Sequence, residues 1–316
     1  MNLLLLRKLQ PIRRSMSFCN RFVLHHLECS FVDGTDSDLP FPPVIIIGPP
    51  RSGTTLLYQV LLDRFDFSYL SNLHEFFYGV PSLVERLFHP GRHRPRGEYR
   101  SRHGWIRGWC APSECGGFWY RFFRRHPQVV SLEDMSEKRL RMLRGVVRRL
   151  ENAAGKAILF KNGPCALRLD PIIRALPEAV FLVTKRDLLD TARSVLVARK
   201  DICGDYSKWW SMQPPNVHEL KNKPVHKQVV EQVREIHSLI DESREKHGQE
   251  RFLDVHYEEL CRDTHSTLAE IRCFLTKHGI LAPCVGEVPA SFARNGHSRI
   301  DPSLYRKLEE YVRATS

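Results

Sequence analysis

Residues 44–61 narrow the possible folds of this 316-residue chain more than any other stretch. Val44-Ile45-Ile46-Ile47 is a β-branched run stopped by Gly48 and Pro49, which is the pattern of a strand buried on both faces. After Gly53, residues Leu56, Leu57, Val60 and Leu61 recur at helical spacing. Between strand and helix lies Gly48-Pro49-Pro50-Arg51-Ser52-Gly53-Thr54-Thr55. Such a loop presents unpaired N–H groups at a helix N-terminus, where the helix dipole favours an anion. Gly53 permits close backbone approach. Ser52, Thr54 and Thr55 carry hydroxyls, and Arg51 offers a planar cationic fork suited to phosphate or sulfate oxygens.

Further short apolar runs predict strands at Phe67–Leu70, Ala157–Phe160, Ala179–Val183 and Arg251–Val255. Apolar stripes at helical spacing predict helices over 132–151, 225–246 and 264–278. Strands alternating with helices imply an α/β three-layer sandwich of P-loop NTPase-like type. Its central parallel sheet would have about five strands and bind ligand beyond their carboxyl ends. Residues 1–40 read as an N-terminal appendage, and 41–316 as a single domain. Residues 76–130, rich in Gly, Pro, Arg and aromatics, read as a large helical or irregular insertion forming a lid that packs down.

A second anion site is predicted after the fourth strand. Thr184-Lys185-Arg186 ends that strand, Asp187 is a plausible N-cap, and Ser194 falls two turns into the next helix, on the face where it starts. Arg186 and Ser194 can therefore hold one phosphate together. The first loop has Walker-like spacing, yet Thr54 follows Gly53 where that motif needs Lys. No acidic residue ends a strand in position for Mg²⁺. The implied ligand is a nucleotide with two separate phosphate ends, bound without metal.

The formal net charge of +12 fits an anionic partner of any class. A hydrophobic fraction of 42% rules out disorder of the whole chain. The nine Cys are scattered, which predicts free thiols in a reducing compartment and no zinc site. Leu3–Leu6 is too short for a membrane span, and no later run is long enough. A cytoplasmic location is the expectation.

On these motifs the chain resembles the P-loop sulfotransferases that use 3′-phosphoadenosine-5′-phosphosulfate (PAPS). Pro50-Arg51-Ser52-Gly53-Thr54-Thr55 is similar to the family's 5′-phosphosulfate loop, in the Arg-Ser form of bacterial and tyrosylprotein or carbohydrate members. Arg186 and Ser194 match its 3′-phosphate Arg and Ser. Tyr257-Glu258-Glu259-Leu260 resembles the segment whose Tyr lies near the adenine, and Phe292-Ala293-Arg294-Asn295-Gly296 resembles the loop that closes on the 3′-phosphate, with Asn295 replacing Lys. The resemblance implies sulfuryl transfer to a hydroxyl or amine of a small-molecule or glycan acceptor. Cytosolic members place a His after the Lys that ends the third strand; here that position reads Lys161-Asn162-Gly163. Glycan and tyrosylprotein members use a Glu after the second strand, which makes Glu75 the expected base and His74 the alternate. Lys161 could also touch the transferring group.

Tyr206, Trp209 and Trp210, with the tryptophans of the lid, could form an acceptor platform or simply pack. Ten arginines between Arg86 and Arg125 point to an acidic acceptor, or to a solvated surface. Two rival classes remain at this level. A nucleotide kinase or other P-loop NTPase would bind ATP·Mg²⁺, and a non-catalytic binder of nucleotide or nucleic acid would bind without turnover. No nucleic-acid-binding motif is visible.

Overall fold

The computed structural model describes residues 15–30, 38–94, 96–99, 104–294 and 300–315. Five strands form one sheet: β1 (Val44–Ile47), β2 (Ser68–Tyr69), β3 (Ile158–Lys161), β4 (Val180–Lys185) and β5 (Phe252–His256). Their order is β2-β3-β1-β4-β5, and every pairing is parallel. A parallel sheet needs crossover connections, so helices cover both faces.

One face of β1 carries Ile45 and Ile47 into a core shared with Phe118, Trp119, Phe160 and Phe181. The other face carries Val44 and Ile46 into a core with Leu57, Leu61, Leu159 and Ile271. All four β1 side chains are fully enclosed, as their continuous apolar run requires. The flanking helices include α1 (His25–Ser30), α2 (Thr54–Arg64), α3 (Asn72–Phe76), α4 (Pro81–Phe88), α5 (Glu137–Ala154) and α6 (Leu169–Ala175). They continue with α7 (Leu188–Cys203), α8 (Val225–His247), α9 (Tyr257–Arg262), α10 (Thr264–Lys277) and α11 (Pro302–Thr315).

The predicted elements recur with ends displaced by a few residues. The exception is the second strand, which shortens to Ser68–Tyr69. Part of the insertion joins the core. Phe118, Trp119, Phe122 and Phe123 are core residues, whereas Trp105 and Trp109 stay more than half exposed. Several of its arginines are internal ties: Arg94 pairs with Asp63 at 2.5 Å, Arg121 donates to the Tyr78 carbonyl, and Arg124 grips Asp134.

Residues 15–30 are helical, with a π-helical stretch at Asn20–Leu24. Buried Asn20 donates to the Phe76 carbonyl and accepts from Gly79 N–H, both across about sixty residues of sequence. The segment is a brace on the connection after α3.

Candidate active site

Because all five strands run the same way, every connection that leaves a carboxyl end opens on one side of the sheet. The Gly48–Thr55 loop leaves β1 there. It sits where the chain first passes to β2 and β3 on one flank and later to β4 and β5 on the other, a switch point of the kind that binds ligands.

The loop is held open by residues that only its backbone geometry explains. Gly48 and Gly53 have φ of 148° and 99°. A Cβ at Gly48 would lie 2.3 Å from Thr184 Oγ1, and one at Gly53 would lie 2.5 Å from the Tyr257 ring. Arg51 adopts φ 70°, a left-handed conformation costly for a side-chain-bearing residue and typical of functional turns. Ser52 is 1% exposed. Its hydroxyl lies 2.7 Å from the Pro49 carbonyl and 2.5 Å from Thr184 Oγ1. The Ser52 side chain thus shapes the turn and does not point out of it. Thr54 and Thr55 open α2, whose first N–H groups have no carbonyl within the helix to bond.

The second predicted site converges on the first. Arg51 Nε donates to Ser194 Oγ at 2.9 Å. Arg186 Nη1 donates to the Arg51 carbonyl at 3.1 Å, and the Arg186 guanidinium lies over the Tyr257 ring at 4.5 Å. Asp187 caps α7 by accepting from Asp190 N–H. Glu258, beside Tyr257, accepts the Asp187 N–H. Burial first, and the Arg186 charge second, push the Arg51 guanidinium below its ordinary value. Two like charges held this close favour an anion between or beside them.

Arg294 lines an open hollow of about 390 Å³ with Cys261, Glu258 and Phe292. Burial raises the Cys261 thiol, while a hydrogen bond with Tyr257 and the charges of Arg186 and Arg294 act to lower it. Gly296 lies outside the described residues.

The two base candidates sit apart from this cluster of arginines. His74 is fully enclosed. Its Nδ1 accepts the Ser71 N–H at 3.1 Å, completing a capping box at the start of α3. Its Nε2 faces Glu85 Oε2 at 3.4 Å. Burial pushes its pKa down to about 3. Its Nδ1 lone pair is engaged in the cap of α3, and the ring has no solvent access. Glu75 accepts the Gly117 N–H at 3.2 Å and acts on the Cys115 thiol, so its carboxylate is directed into the insertion.

Sequence reasoning missed Glu114. Lys161, 4% exposed at the end of β3, donates to Thr55 Oγ1 at 2.9 Å and to Glu114 Oε1. A glutamate of the insertion thereby reaches the first turn of α2. The signal available was the Glu114-Cys115-Gly116-Gly117 stretch, whose glycines follow an apolar-poor loop and precede an aromatic helical turn. The expected aromatic platform at 206–210 is mostly packing. Trp209 lies under the buried Arg199 guanidinium at 4.7 Å and donates to the Met212 carbonyl.

A model of the sulfotransferase family matches residues 42–276. The chain belongs to the sulfotransferase family. Its fold is also that of two mycobacterial sulfotransferase structures. STF9 from Mycobacterium avium is 13% identical with a TM-score of 0.55, over 94% of this chain and 74% of that one. STF1 from Mycobacterium tuberculosis H37Rv is 15% identical with a TM-score of 0.52, over 84% and 74%. No curated protein matches. Among the described residues of this sulfotransferase family member, no group of three or more His, Cys, Asp or Glu could hold a metal. No helix among them is long and apolar enough to cross a membrane.

Proposed function

We propose that this sulfotransferase moves a sulfuryl group from PAPS to a hydroxyl or amine of a small-molecule or glycan acceptor. The observation that supports this reading best is the contact between Arg51 and Ser194. It joins a loop suited to a 5′-phosphosulfate to a helix suited to a 3′-phosphate.

The residues fit such a donor. The cradle depends on the missing Cβ of Gly53, against which Tyr257 lies. Arg51, Thr54, Thr55 and the first amides of α2 would hold the 5′ end. Arg186 and Ser194 would hold the 3′-phosphate, with Arg294 and Gly296 closing on it, and Tyr257 would flank the adenine. Bound there, PAPS supplies a sulfuryl group already activated by its attachment to phosphate. Arg51 and Lys161 would oppose charge on the leaving phosphate and the equatorial oxygens, the main task in such in-line transfers. A base must take the acceptor's proton, and the sequence expectation for it is Glu75, with His74 the alternate. The reading includes a cytoplasmic setting, no nucleic-acid partner and an acceptor that can be acidic.

Thermal-shift measurements with adenosine 3′,5′-bisphosphate, ATP·Mg²⁺ and duplex DNA test it. Stabilisation by the bisphosphate is expected. Stabilisation by ATP·Mg²⁺ alone would replace this reading with a P-loop kinase or NTPase.

A further inference from the structure

We infer that Glu114 accepts the acceptor's proton, and that Glu75 positions the turn that carries it. The inference rests on the PAPS reading above. Lys161 ties Glu114 Oε1 to Thr55 Oγ1, placing a carboxylate at the first turn of α2. The two ends of that tie differ in exposure: the Lys161 side chain is 3% exposed and that of Glu114 is 42% exposed. The lysine is thus anchored in the protein, while the carboxylate is open to solvent. Asn162, the next residue after Lys161, donates its side-chain N–H to the Glu114 carbonyl and fixes the backbone. Gly104, with φ 91°, passes over the carboxylate; a Cβ there would lie 3.2 Å from Glu114 Oε1 and 3.6 Å from Lys161 Nζ. The next residue, Trp105, is half exposed.

Glu75 is placed differently. It receives the Gly117 N–H and acts on Cys115, so it clamps the residues immediately after Glu114. The balanced step is simple. The acceptor oxygen forms its bond to sulfur as its proton passes to Glu114. The bond from sulfur to the bridging oxygen breaks, and its electron pair leaves with the 5′-phosphate. The three donors of Lys161 allow it to face the sulfuryl oxygens while it holds Glu114.

The test compares Glu114→Gln and Glu75→Gln in single-turnover release from [³⁵S]PAPS, with 4-methoxyphenol and water as acceptors, alongside calorimetric binding of adenosine 3′,5′-bisphosphate. The amide introduced by Glu114→Gln can still accept from Lys161, so the fold and bisphosphate affinity should persist. The Glu114→Gln rate should fall at least about 100-fold, and the acid limb of its pH–rate profile should vanish. Glu114→Ala should regain rate with formate. Glu75→Gln should keep the acid limb and gain nothing from formate. A near-wild-type Glu114→Gln rate, or formate rescue of Glu75→Ala in place of Glu114→Ala, would overturn the assignment. Failure of the wild-type chain to bind the bisphosphate would instead overturn the PAPS reading, and this assignment with it.

Discussion

Arg51 and Ser194 stand 143 residues apart in sequence and share a 2.9 Å hydrogen bond. The contact welds the loop after β1 to the helix after β4. Anything that binds the loop's arginine is therefore sensed by α7, and the reverse.

The first prediction concerns nucleotide selectivity. Arg186→Ala and Ser194→Ala should each lower affinity for adenosine 3′,5′-bisphosphate far more than for adenosine 5′-monophosphate. The expected loss is about 10- to 100-fold for the arginine, since a charge-assisted hydrogen bond is worth about 1.5–3 kcal/mol. Titration calorimetry with the two nucleotides checks it. Equal losses for both would remove the 3′-phosphate role.

Gly53→Ala tests the cradle. The added Cβ meets the Tyr257 ring at 2.5 Å, and the φ of 99° is hostile to any side chain. A loss of about 1–3 kcal/mol is expected from the backbone alone. Binding of the bisphosphate should disappear as well. Adding Tyr257→Leu would relieve the collision and not the dihedral, so only part of the stability should return in denaturant melts.

For His74 the prediction is a stability effect with an unchanged pH–rate profile. Its folded pKa, about 3, lies below the ordinary value of 6.5 because of burial. As pH falls, the unfolded chain takes the proton first. The stability His74 permits is thus full above about pH 6.5 and is lost as pH falls toward 3. His74→Phe should flatten the acid side of a melting-temperature profile. A shifted pH–rate optimum in that variant would return His74 to the chemistry.

Glu151 predicts the opposite slope. It is fully enclosed on α5, and burial raises its pKa to about 8. The folded chain keeps this proton while the unfolded chain releases it near 4.5, so stability falls as pH rises from about 4.5 to 8. Glu151→Gln lacks the titration. Its melting temperature relative to wild type should climb steadily between about pH 5 and pH 8. A constant difference would show that Glu151 titrates normally.

Much of the donor side was legible because its signals are local. A β-branched run, glycine at the helix start, and an Arg with a Ser eight residues on each report a constraint carried within one turn or strand. Asp187 was likewise readable as a cap and serves as one. The acceptor side was harder, because its geometry is set by tertiary packing of an aperiodic insertion. Nothing near Glu114 in sequence announces Lys161, which lies 47 residues away. Phe118-Trp119 and Phe122-Phe123 repeat at an i, i+4 interval that marks a buried face, and the Trp-rich composition masked it. His74 was readable in principle. Ser71 stands three residues before it at capping-box spacing, although the motif is usually closed by Glu or Gln.

The Asn20 brace bears on where this protein can be cut. Residues 42–276 carry the family likeness, yet hydrogen bonds from Asn20 hold the connection after α3. At the other end, Leu308 of α11 is fully enclosed against α7 and α8, and Arg234 donates to the Thr315 carbonyl. The matched segment and the packed structure therefore have different edges. A fragment trimmed to residues 42–276 would keep both anion-binding motifs and lose the struts at either end.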